Sequence, residues 1–299
     1  MKIIILTATY NNGNLLYDLY SSLKLQDDED FSWIIIDDGS IDDTEVIIRR
    51  FIDENVVRIK YIKKQNGGKG SAINVGLDYV SKNDFVLIVD ADERLFHDAI
   101  SNAKKYYNKY KQSQIGMIEF MRIDRETNQI ICAPKLTEDK ISDGYDKISL
   151  TYKCDGYIGY FGKAIQNIRF PIFESEKYIG PSVLSMLVLK EFKAVYAYTV
   201  LGTTAYQENG ITKQGRRLRL KNPYSMIYYC LLLQNKKQII TRKFKYSIAG
   251  YAYASYGEIS EEYLRNHKMN MNIFISLAKP FGIILAKYWK FKYKNISNQ

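Results

Sequence analysis

The chain contains few of the residues that build metal–thiolate centres and disulfide scaffolds. Among its 299 residues there are three cysteines, Cys132, Cys154 and Cys230, and two histidines, His97 and His267. The number of cysteines is odd, their positions are far apart and no Cys-x-x-Cys pair occurs. This pattern argues against a zinc ribbon or a disulfide framework and suits a reducing compartment. The histidines form neither a His-Glu-x-x-His motif nor a helical pair, so we expect both to be ordinary residues.

Long apolar runs are also missing. The first run, Ile3–Leu6, is too short for the apolar core of a signal peptide and is typical of a buried strand. The stretch 273–286 is interrupted by Lys279 and Pro280. A membrane-spanning helix needs roughly 20 apolar residues, so this stretch is too short. We therefore predict a cytoplasmic protein.

Positive charge is in excess. Lys and Arg together number 43 and Asp and Glu 33, which gives a formal net charge of +10. A basic chain favours acidic partners, which include nucleic acid, anionic lipid and phosphorylated substrates, and composition alone does not choose among them. With 46% hydrophobic and 25% charged residues, the chain can form one large domain, or one domain with an accessory segment.

The first hundred residues alternate between strand and helix patterns. Apolar runs at residues 3–6, 33–36 and 85–89 predict buried strands, and alternating apolar residues at 57–61 predict a further strand. Between these strands, apolar residues recur at helical spacing. Such units predict an α/β fold with a mostly parallel central sheet flanked by helices, in which ligands bind beyond the carboxyl ends of the strands. After residue 116 the pattern changes to a hairpin, and after residue 222 it is mainly helical.

The strongest local feature is Asp90-Ala91-Asp92, which follows the fourth predicted strand. Two carboxylates one residue apart at a strand end can both face a crevice. Carboxylate oxygens suit Mg²⁺ or Mn²⁺, which can also bind a substrate diphosphate. Such a metal would neutralise the charge that builds up on a departing nucleotide diphosphate. The plain alternative is a solvated acidic turn, because Asp-x-Asp by itself is common.

Three other polar segments have both a functional and an ordinary structural interpretation. Asp37 and Asp38 follow the second strand, where a turn and a helix cap would also place them. Gly68 and Lys69 open a helix whose backbone N–H groups can approach phosphate, although the GxxxxGK[ST] spacing of a Walker loop is absent. Tyr10 follows the first strand, where its ring can stack on a base or pack the loop.

In this order, the four segments resemble the nucleotide-binding half of the family-2 inverting glycosyltransferases, which have the GT-A fold. The matching segments are Thr7–Asn11, Trp33–Thr44, Asn66–Asn74 and Val89–Glu93. The resemblance implies that Tyr10 lies against the nucleobase, that Asp38 reaches the base edge and that Lys69 lies near the nucleotide. It also implies that Asp90 lies near the ribose and that Asp92 binds the metal. The nucleotide-binding residues that it implies are Thr7, Ala8, Thr9, Tyr10, Asn11, Asp37, Asp38, Gly68, Lys69, Asn74, Asp90 and Ala91, and the implied metal ligands are Asp92 and Asp90.

The acceptor side of the resemblance is less complete. The segment Phe173–Ile179 resembles one that carries an acidic residue near the acceptor in the polysaccharide-building branch of the family. That segment usually continues Pro-Glu, whereas this chain continues Gly180-Pro181. An inverting transfer needs a base to take the proton of the attacking hydroxyl, so Glu176 or Glu174 is expected to serve. The acceptor-side residues implied by a further loop of this branch are Tyr206 and Glu208.

We predict two parts in the chain. Residues 1–215 are expected to form the GT-A catalytic domain, with 1–100 as its nucleotide-binding half and 101–215 as its acceptor half. Residues 216–299 are expected to form a basic helical segment. Lys and Arg stand there beside Tyr, Trp and Phe, as in an interfacial helix on anionic lipid, and the plain alternative is a solvated helix face.

These features predict an inverting glycosyltransferase that uses Mg²⁺ or Mn²⁺. It would move a sugar from a nucleotide-diphosphate donor, with UDP favoured by family habit, to a glycan or lipid-linked acceptor in surface polysaccharide synthesis of the bacterial type. The expected location is the inner face of the cell membrane. No nucleic-acid module is recognised, and a homodimer stays open. The alternatives are a sugar-1-phosphate nucleotidyltransferase, which usually opens with a longer Gly-rich basic loop, and a catalytically impaired relative that docks on membranes.

Overall fold

The structure is a computed structural model and describes residues 1–133, 135–144, 153–205 and 211–294. The chain divides into two compact units. The first comprises Met1–Arg169 and Leu187–Tyr206, and the second comprises Phe170–Met186 and Gln207–Gln299. The predicted boundary at residue 215 lies shortly after this division, and the second unit also takes in a segment from the middle of the chain.

A ten-stranded sheet forms the centre of the first unit in the described part of the chain, and two further short strands pair separately. The strands are β1 (Ile3–Thr9), β2 (Phe31–Asp37), β3 (Ile59–Lys63), β4 (Phe85–Ile88), β5 (Arg94–Leu95), β6 (Ile115–Asp124), β7 (Gln129–Ile130), β8 (Cys132–Ala133), β9 (Lys140–Ser142), β10 (Lys153–Cys154), β11 (Tyr157–Phe161) and β12 (Lys193–Thr204). The main order across the sheet is β3-β2-β1-β4-β11-β6-β12-β5.

In the first unit, helices pack on this sheet. The second unit consists mainly of helices. The helices of both units are α1 (Leu16–Lys24), α2 (Thr44–Glu54), α3 (Lys69–Leu77), α4 (Ala99–Tyr110), α5 (Gly162–Ile165), α6 (Ser182–Val188), α7 (Ile211–Leu220), α8 (Pro223–Leu232), α9 (Ile240–Tyr256), α10 (Glu261–Asn266) and α11 (Lys279–Lys292). None of the helices in the described ranges is long and apolar enough to cross a bilayer.

The predicted α/β class is confirmed, and parallel pairing joins four neighbouring strands at one end of the sheet and also β6 with β12. β3, β2, β1 and β4 run parallel, and β1 is buried on both faces, which is why its sequence is a continuous apolar run. β11 is antiparallel to both of its neighbours, β4 and β6. The predicted hairpin is confirmed in β6 and β7, which pair antiparallel.

The expectation that the chain has no disulfide framework needs one correction. Cys132 is disulfide-bonded. In the antiparallel pair of β8 and β10, the backbone of Cys132 lies opposite that of Cys154. The odd number of cysteines was a poor guide because, in the described part of the chain, Cys230 is free and buried.

The second unit has a core of its own. Tyr253 on α9 and Trp289 on α11 pack with ring centroids 5.0 Å apart. The guanidinium of Arg216 lies 4.7 Å from the Trp289 ring and donates to the Tyr253 hydroxyl at 2.7 Å. Arg216, in the predicted basic segment, therefore contacts this core although it remains exposed.

Candidate functional site

The loops that follow β1 and β2 are bound to each other. The N–H of Asp38 donates to the carbonyl of Thr9 at 2.8 Å. The N–H of Asn11 donates to the Ser40 hydroxyl at 2.9 Å, and the N–H of Ile41 donates to Asn11 Oδ1 at 2.9 Å. Asn11 has a φ of 51°, a left-handed conformation in which asparagine is common. These bonds bring the first two predicted segments together at the carboxyl edge of the sheet.

Asp37 shapes the turn after β2. It is fully buried, and it accepts from the N–H of Ser40 at 2.7 Å and from the hydroxyl of Tyr61 at 2.8 Å. Burial and the bond to Asp37 raise the pKa of Tyr61. The structural interpretation of Asp37 therefore holds, and its contact with a nucleotide stays a prediction.

Asp38 holds the glycine loop that precedes α3. Its Oδ1 accepts from Lys64 Nζ at 2.8 Å and from the N–H of Gly67 at 3.0 Å, and its Oδ2 accepts from the N–H of Gly68 at 2.6 Å. Gly68 has a φ of 88°, a conformation that a residue with a Cβ rarely adopts. The loop is thus fixed against the turn after β2, with Lys69 as the first residue of α3.

Lys69 and Asp90 form an ion pair. Lys69 Nζ lies 2.5 Å and 2.7 Å from the two carboxylate oxygens of Asp90. Burial by itself would lower the pKa of Lys69 and raise that of Asp90, but the attraction between the two charges outweighs it. The pKa of Lys69 is raised and that of Asp90 is lowered, so both groups are charged at neutral pH.

The turn after β4 presents a second carboxylate in a different environment. Asp92 is half-buried, and burial and the charge of Asp90 raise its pKa. Glu93 is buried, and its Oε2 accepts from the N–H of Asp90 at 2.9 Å. Burial and the charge of Asp90 also raise the pKa of Glu93, and Arg122 opposes this. Within the described ranges no cation pairs directly with Asp92.

Arg122 is a largely buried cation at this edge that the sequence did not single out. Its guanidinium pairs with Glu93 and with Asp155. Arg122 lies near the end of β6, Asp155 lies just before β11 and Glu93 follows β4, so three neighbouring strands supply the cluster. Burial and the charge of Asp155 raise the pKa of Glu119, also on β6, to about 8. Glu119 and Arg122, two charged residues inside a mainly apolar strand, were the signal that could have identified this cluster.

The other predicted residues of the first unit lie around the same edge. The ring of Tyr10 is exposed at the end of β1. Thr7 Oγ1 accepts from Trp33 Nε1 at 3.0 Å inside the core. Thr9 Oγ1 is buried and has no hydrogen-bond partner in the described part of the chain. Asn74 is half-buried on α3. The predicted residues that lie outside the described residues are Tyr206 and Glu208.

The turn after β4 fits a divalent metal that shares its ligands with a substrate. Among the described residues, no three Asp, Glu, His or Cys side chains converge on one point. Mg²⁺ commonly keeps several waters and takes one or two carboxylates together with substrate phosphates, so a complete protein cage is not required. Asp92 fits this pattern well because no described cation neutralises it. Asp90 fits less directly because Lys69 contacts both of its oxygens.

The two predicted bases lie in the second unit and differ in their surroundings. Glu176 is buried and binds the first turn of α8, where Oε1 accepts from the N–H of Tyr224 at 2.6 Å and Oε2 from that of Ser225 at 2.7 Å. Burial raises the pKa of Glu176, and these bonds oppose the shift. Glu174 is exposed. Glu176 therefore caps the first turn of α8.

Most of the first unit matches the model of a known protein family. The model of the family described as Glycosyl transferase family 2 matches residues 4–169. This range is more than half of the chain, and it includes the glycine loop and the turn Asp90–Asp92.

Curated relatives match different shares of the chain. An uncharacterized glycosyltransferase of Mycoplasma genitalium is 32% identical over 119 residues, which cover 38% of this chain and 40% of that protein. The chain thus spans less than half the length of the first curated relatives it matches. A protein of Campylobacter jejuni, GalNAc(5)-diNAcBac-PP-undecaprenol beta-1,3-glucosyltransferase, is 23% identical over 300 residues, which cover 95% of this chain and 92% of that protein.

Solved structures share the fold. Residues 1–349 of TarS from S. aureus, in complex with UDP-GlcNAc, match with a TM-score of 0.67 and 15% identity, over 99% of this chain and 92% of that one. The mannosyltransferase PcManGT from Pyrobaculum calidifontis, in complex with GDP-Man and Mn²⁺, matches with a TM-score of 0.53 and 14% identity, over 97% and 75%. The predicted GT-A fold is confirmed by these likenesses.

Proposed function

The chain belongs to glycosyl transferase family 2, and from this premise we propose that it transfers a sugar from a nucleotide-diphosphate donor to a glycan or lipid-linked acceptor in surface polysaccharide synthesis. The observation that carries the proposal is the continuous series of contacts from the loop after β1, through Asp38 and the glycine loop, to Lys69 and Asp90. UDP is the preferred nucleotide, since TarS was solved with UDP-GlcNAc. The acceptor class follows the name of the Campylobacter jejuni relative.

The nucleotide is proposed to bind across the loops after β1 and β2. The exposed ring of Tyr10 offers a face on which a base can stack, an interaction of about 1–3 kcal/mol. Asp38 is the carboxylate proposed to accept an N–H of the base. Because Asp38 already accepts bonds from Lys64, Gly67 and Gly68, this contact would couple donor binding to the position of the glycine loop.

The diphosphate is proposed to lie beside the turn after β4, with Mg²⁺ or Mn²⁺ held by Asp92 and Asp90. The metal would supply positive charge to the departing nucleotide diphosphate. Lys69 keeps Asp90 ionised and orients it. Arg125 adds positive charge here, since its Nη2 lies 3.5 Å from the carbonyl oxygen of Asp92. The complex of PcManGT with GDP-Man and Mn²⁺ supports a divalent ion.

The transfer is proposed to invert the sugar by direct displacement. An acceptor hydroxyl attacks the anomeric carbon, the bond to the diphosphate breaks, and a carboxylate takes the hydroxyl proton. Glu174 and Glu176 are the candidates for that carboxylate. We rank Glu174 first because both oxygens of Glu176 already accept backbone N–H groups.

The two glutamates are expected to respond differently to substitution by glutamine. Glu176→Gln should lower the free energy of unfolding by about 1–2 kcal/mol, because one of the two N–H groups at the start of α8 loses its acceptor. Glu174→Gln should leave stability within about 0.5 kcal/mol and reduce transfer, because an exposed carboxylate contributes little to the fold. Thermal unfolding and product formation would be measured for both variants. Unchanged transfer in Glu174→Gln would remove Glu174 as the base, and donor binding by a wild-type chain that forms no product would favour a catalytically impaired relative.

The donor is identified by thermal unfolding with a panel of nucleotide sugars, each with and without Mn²⁺. A true donor at a hundred times its Kd should stabilise the protein by about 2.7 kcal/mol. We expect a rise in Tm of several degrees with a UDP-sugar and Mn²⁺ together, and a smaller rise when the metal is left out. The matched control is the corresponding sugar 1-phosphate, which lacks the base. If no nucleotide sugar raises Tm under either condition, the proposal fails.

A further inference from the structure

Helix α11 carries an apolar face that points away from the core of the second unit. Its buried residues, Gly282, Ala286 and Trp289, lie on one side. On the other side, large apolar side chains remain exposed at a spacing of three and four residues, the repeat of a helix face. They are Leu277 (77% exposed), in the turn just before the helix, Phe281 (54%), Ile284 (64%), Tyr288 (52%) and Phe291 (75%). These five residues are called the apolar stripe.

The direction of the stripe is set by tight packing of the opposite face. A Cβ on Gly282 would come within 2.5 Å of the Cβ of Tyr251 and 2.8 Å of the carbonyl oxygen of Ile248, so α11 and α9 touch through their backbones at this point. Trp289 packs on Tyr253 one to two turns further along. Because these contacts are buried, α11 cannot turn the apolar stripe inward without losing them.

The apolar surface continues onto the start of α9. The rings of Phe281 and Phe244 are in edge contact, with centroids 6.1 Å apart. Ile240, one turn before Phe244, is an exposed large apolar residue. A continuous exposed apolar surface of this extent is unusual on a soluble protein and marks an interaction site.

The charged residues on α11 itself are all basic. At 100° per residue, Lys287 and Lys292 lie on either side of it. No acidic residue follows Glu262 in the sequence. Lys290, on the same helix, pairs with Glu258 at 2.6 Å. Basic residues also cluster around the start of α9, namely Lys236, Lys237, Arg242, Lys243 and Lys245.

We propose that the apolar stripe inserts into the headgroup region of an anionic bilayer, with its flanking lysines on the lipid phosphates. Lys and aromatic side chains in this arrangement are the pattern of an interfacial helix. Charge separates this partner from a second copy of the chain. Two apposed stripes would bring their lysines together with no acidic residue from the same helices between them, whereas anionic lipid complements them.

This inference deepens the proposed function and rests on it, because a lipid-linked acceptor would be found at a membrane surface. The binding step itself does not require sugar transfer. The inference can therefore fail while the transferase proposal stands, and the reverse is equally true.

The test is sedimentation of the full chain with vesicles of phosphatidylcholine containing phosphatidylglycerol, and with phosphatidylcholine alone. We expect binding to the anionic vesicles that weakens as salt is raised. The double variant Ile284→Ser/Phe291→Ser should bind them at least about tenfold more weakly, because it removes two large side chains from the apolar stripe. Its matched control is Leu25→Ser/Ile41→Ser, which removes two exposed apolar side chains from the first unit and should bind like the wild type.

Three outcomes would overturn the inference. One is a wild-type chain that does not sediment with anionic vesicles, and another is a stripe variant that binds as well as the control variant. The third is a wild-type dimer in light scattering that the stripe variant converts to monomer, since that would assign the face to a second copy. The increase of Tm with donor and Mn²⁺ should be the same in the stripe variant and the wild type, and its loss would bear on the proposed function or the fold instead.

Discussion

Asp92→Ala is expected to lower metal-dependent turnover of the donor by about a thousandfold while the protein stays folded. The loss is that large because a group that stabilises charge on the leaving diphosphate acts mainly in the transition state. The fold should persist because Asp92 is half-buried beside the negative charge of Asp90, and these two effects raise its pKa. Removal of the Asp92 carboxylate relieves its repulsion with Asp90 instead of breaking an ion pair. Donor hydrolysis with increasing Mn²⁺, together with thermal unfolding, measures both effects.

The control for this variant is Asp53→Ala, which removes an exposed carboxylate from α2 in the same unit. It should leave both turnover and Tm unchanged. Full activity of Asp92→Ala, or full activity of the wild type in EDTA, would contradict the metal role. Loss of activity together with loss of fold would instead show that Asp92 has a structural role.

Arg122→Met is expected to lower the free energy of unfolding by about 3 kcal/mol, the second large effect. The side chain of Arg122 is 13% exposed and that of its partner Glu93 only 4%. Removal of one member of a buried ion pair leaves the other charge buried and uncompensated, which costs about 3–5 kcal/mol. Without Arg122, the pKa of Glu93, which burial and the charge of Asp90 already raise, would rise further. Urea unfolding of the intact chain is the measurement.

The control is Arg49→Met, which breaks an exposed pair with Glu45 on α2. Exposed pairs contribute about 0–1 kcal/mol, so this variant should be close to the wild type. An Arg122→Met protein as stable as the Arg49→Met protein would mean that Glu93 and Asp155 do not depend on Arg122. Since Glu93 also accepts the N–H of Asp90, we further expect weaker binding of Mn²⁺ by Arg122→Met.

Much of the first unit could be predicted because its strands depend on residues that are close together in the sequence. A parallel strand buried on both faces requires a continuous apolar run, so the runs at residues 3–6, 33–36 and 85–89 identified β1, β2 and β4 directly. The polar residues that follow them had to meet at one edge, because the four strands are parallel neighbours. The glycine loop could be placed there for the same reason. The contacts of Asp38 with that loop, however, were not visible in the spacing of residues.

The remaining features depend on contacts between distant parts of the chain. β11 enters the sheet antiparallel between β4 and β6, and this brings Asp155 and Arg122 beside Glu93. No local pattern predicts which strands become neighbours across such separations. The disulfide of Cys132 and the capping of α8 by Glu176 were unpredictable for the same reason.

The sequence by itself determined the α/β class, the four parallel strands and the order of the candidate nucleotide-binding segments, because hydrophobic periodicity and strand-end polarity are properties of neighbouring residues. Only the tertiary structure decided which carboxylates are neutralised, which glutamate caps a helix and which face of α11 stays exposed. Burial and pairing decide these points, and both depend on residues that are far apart in the chain.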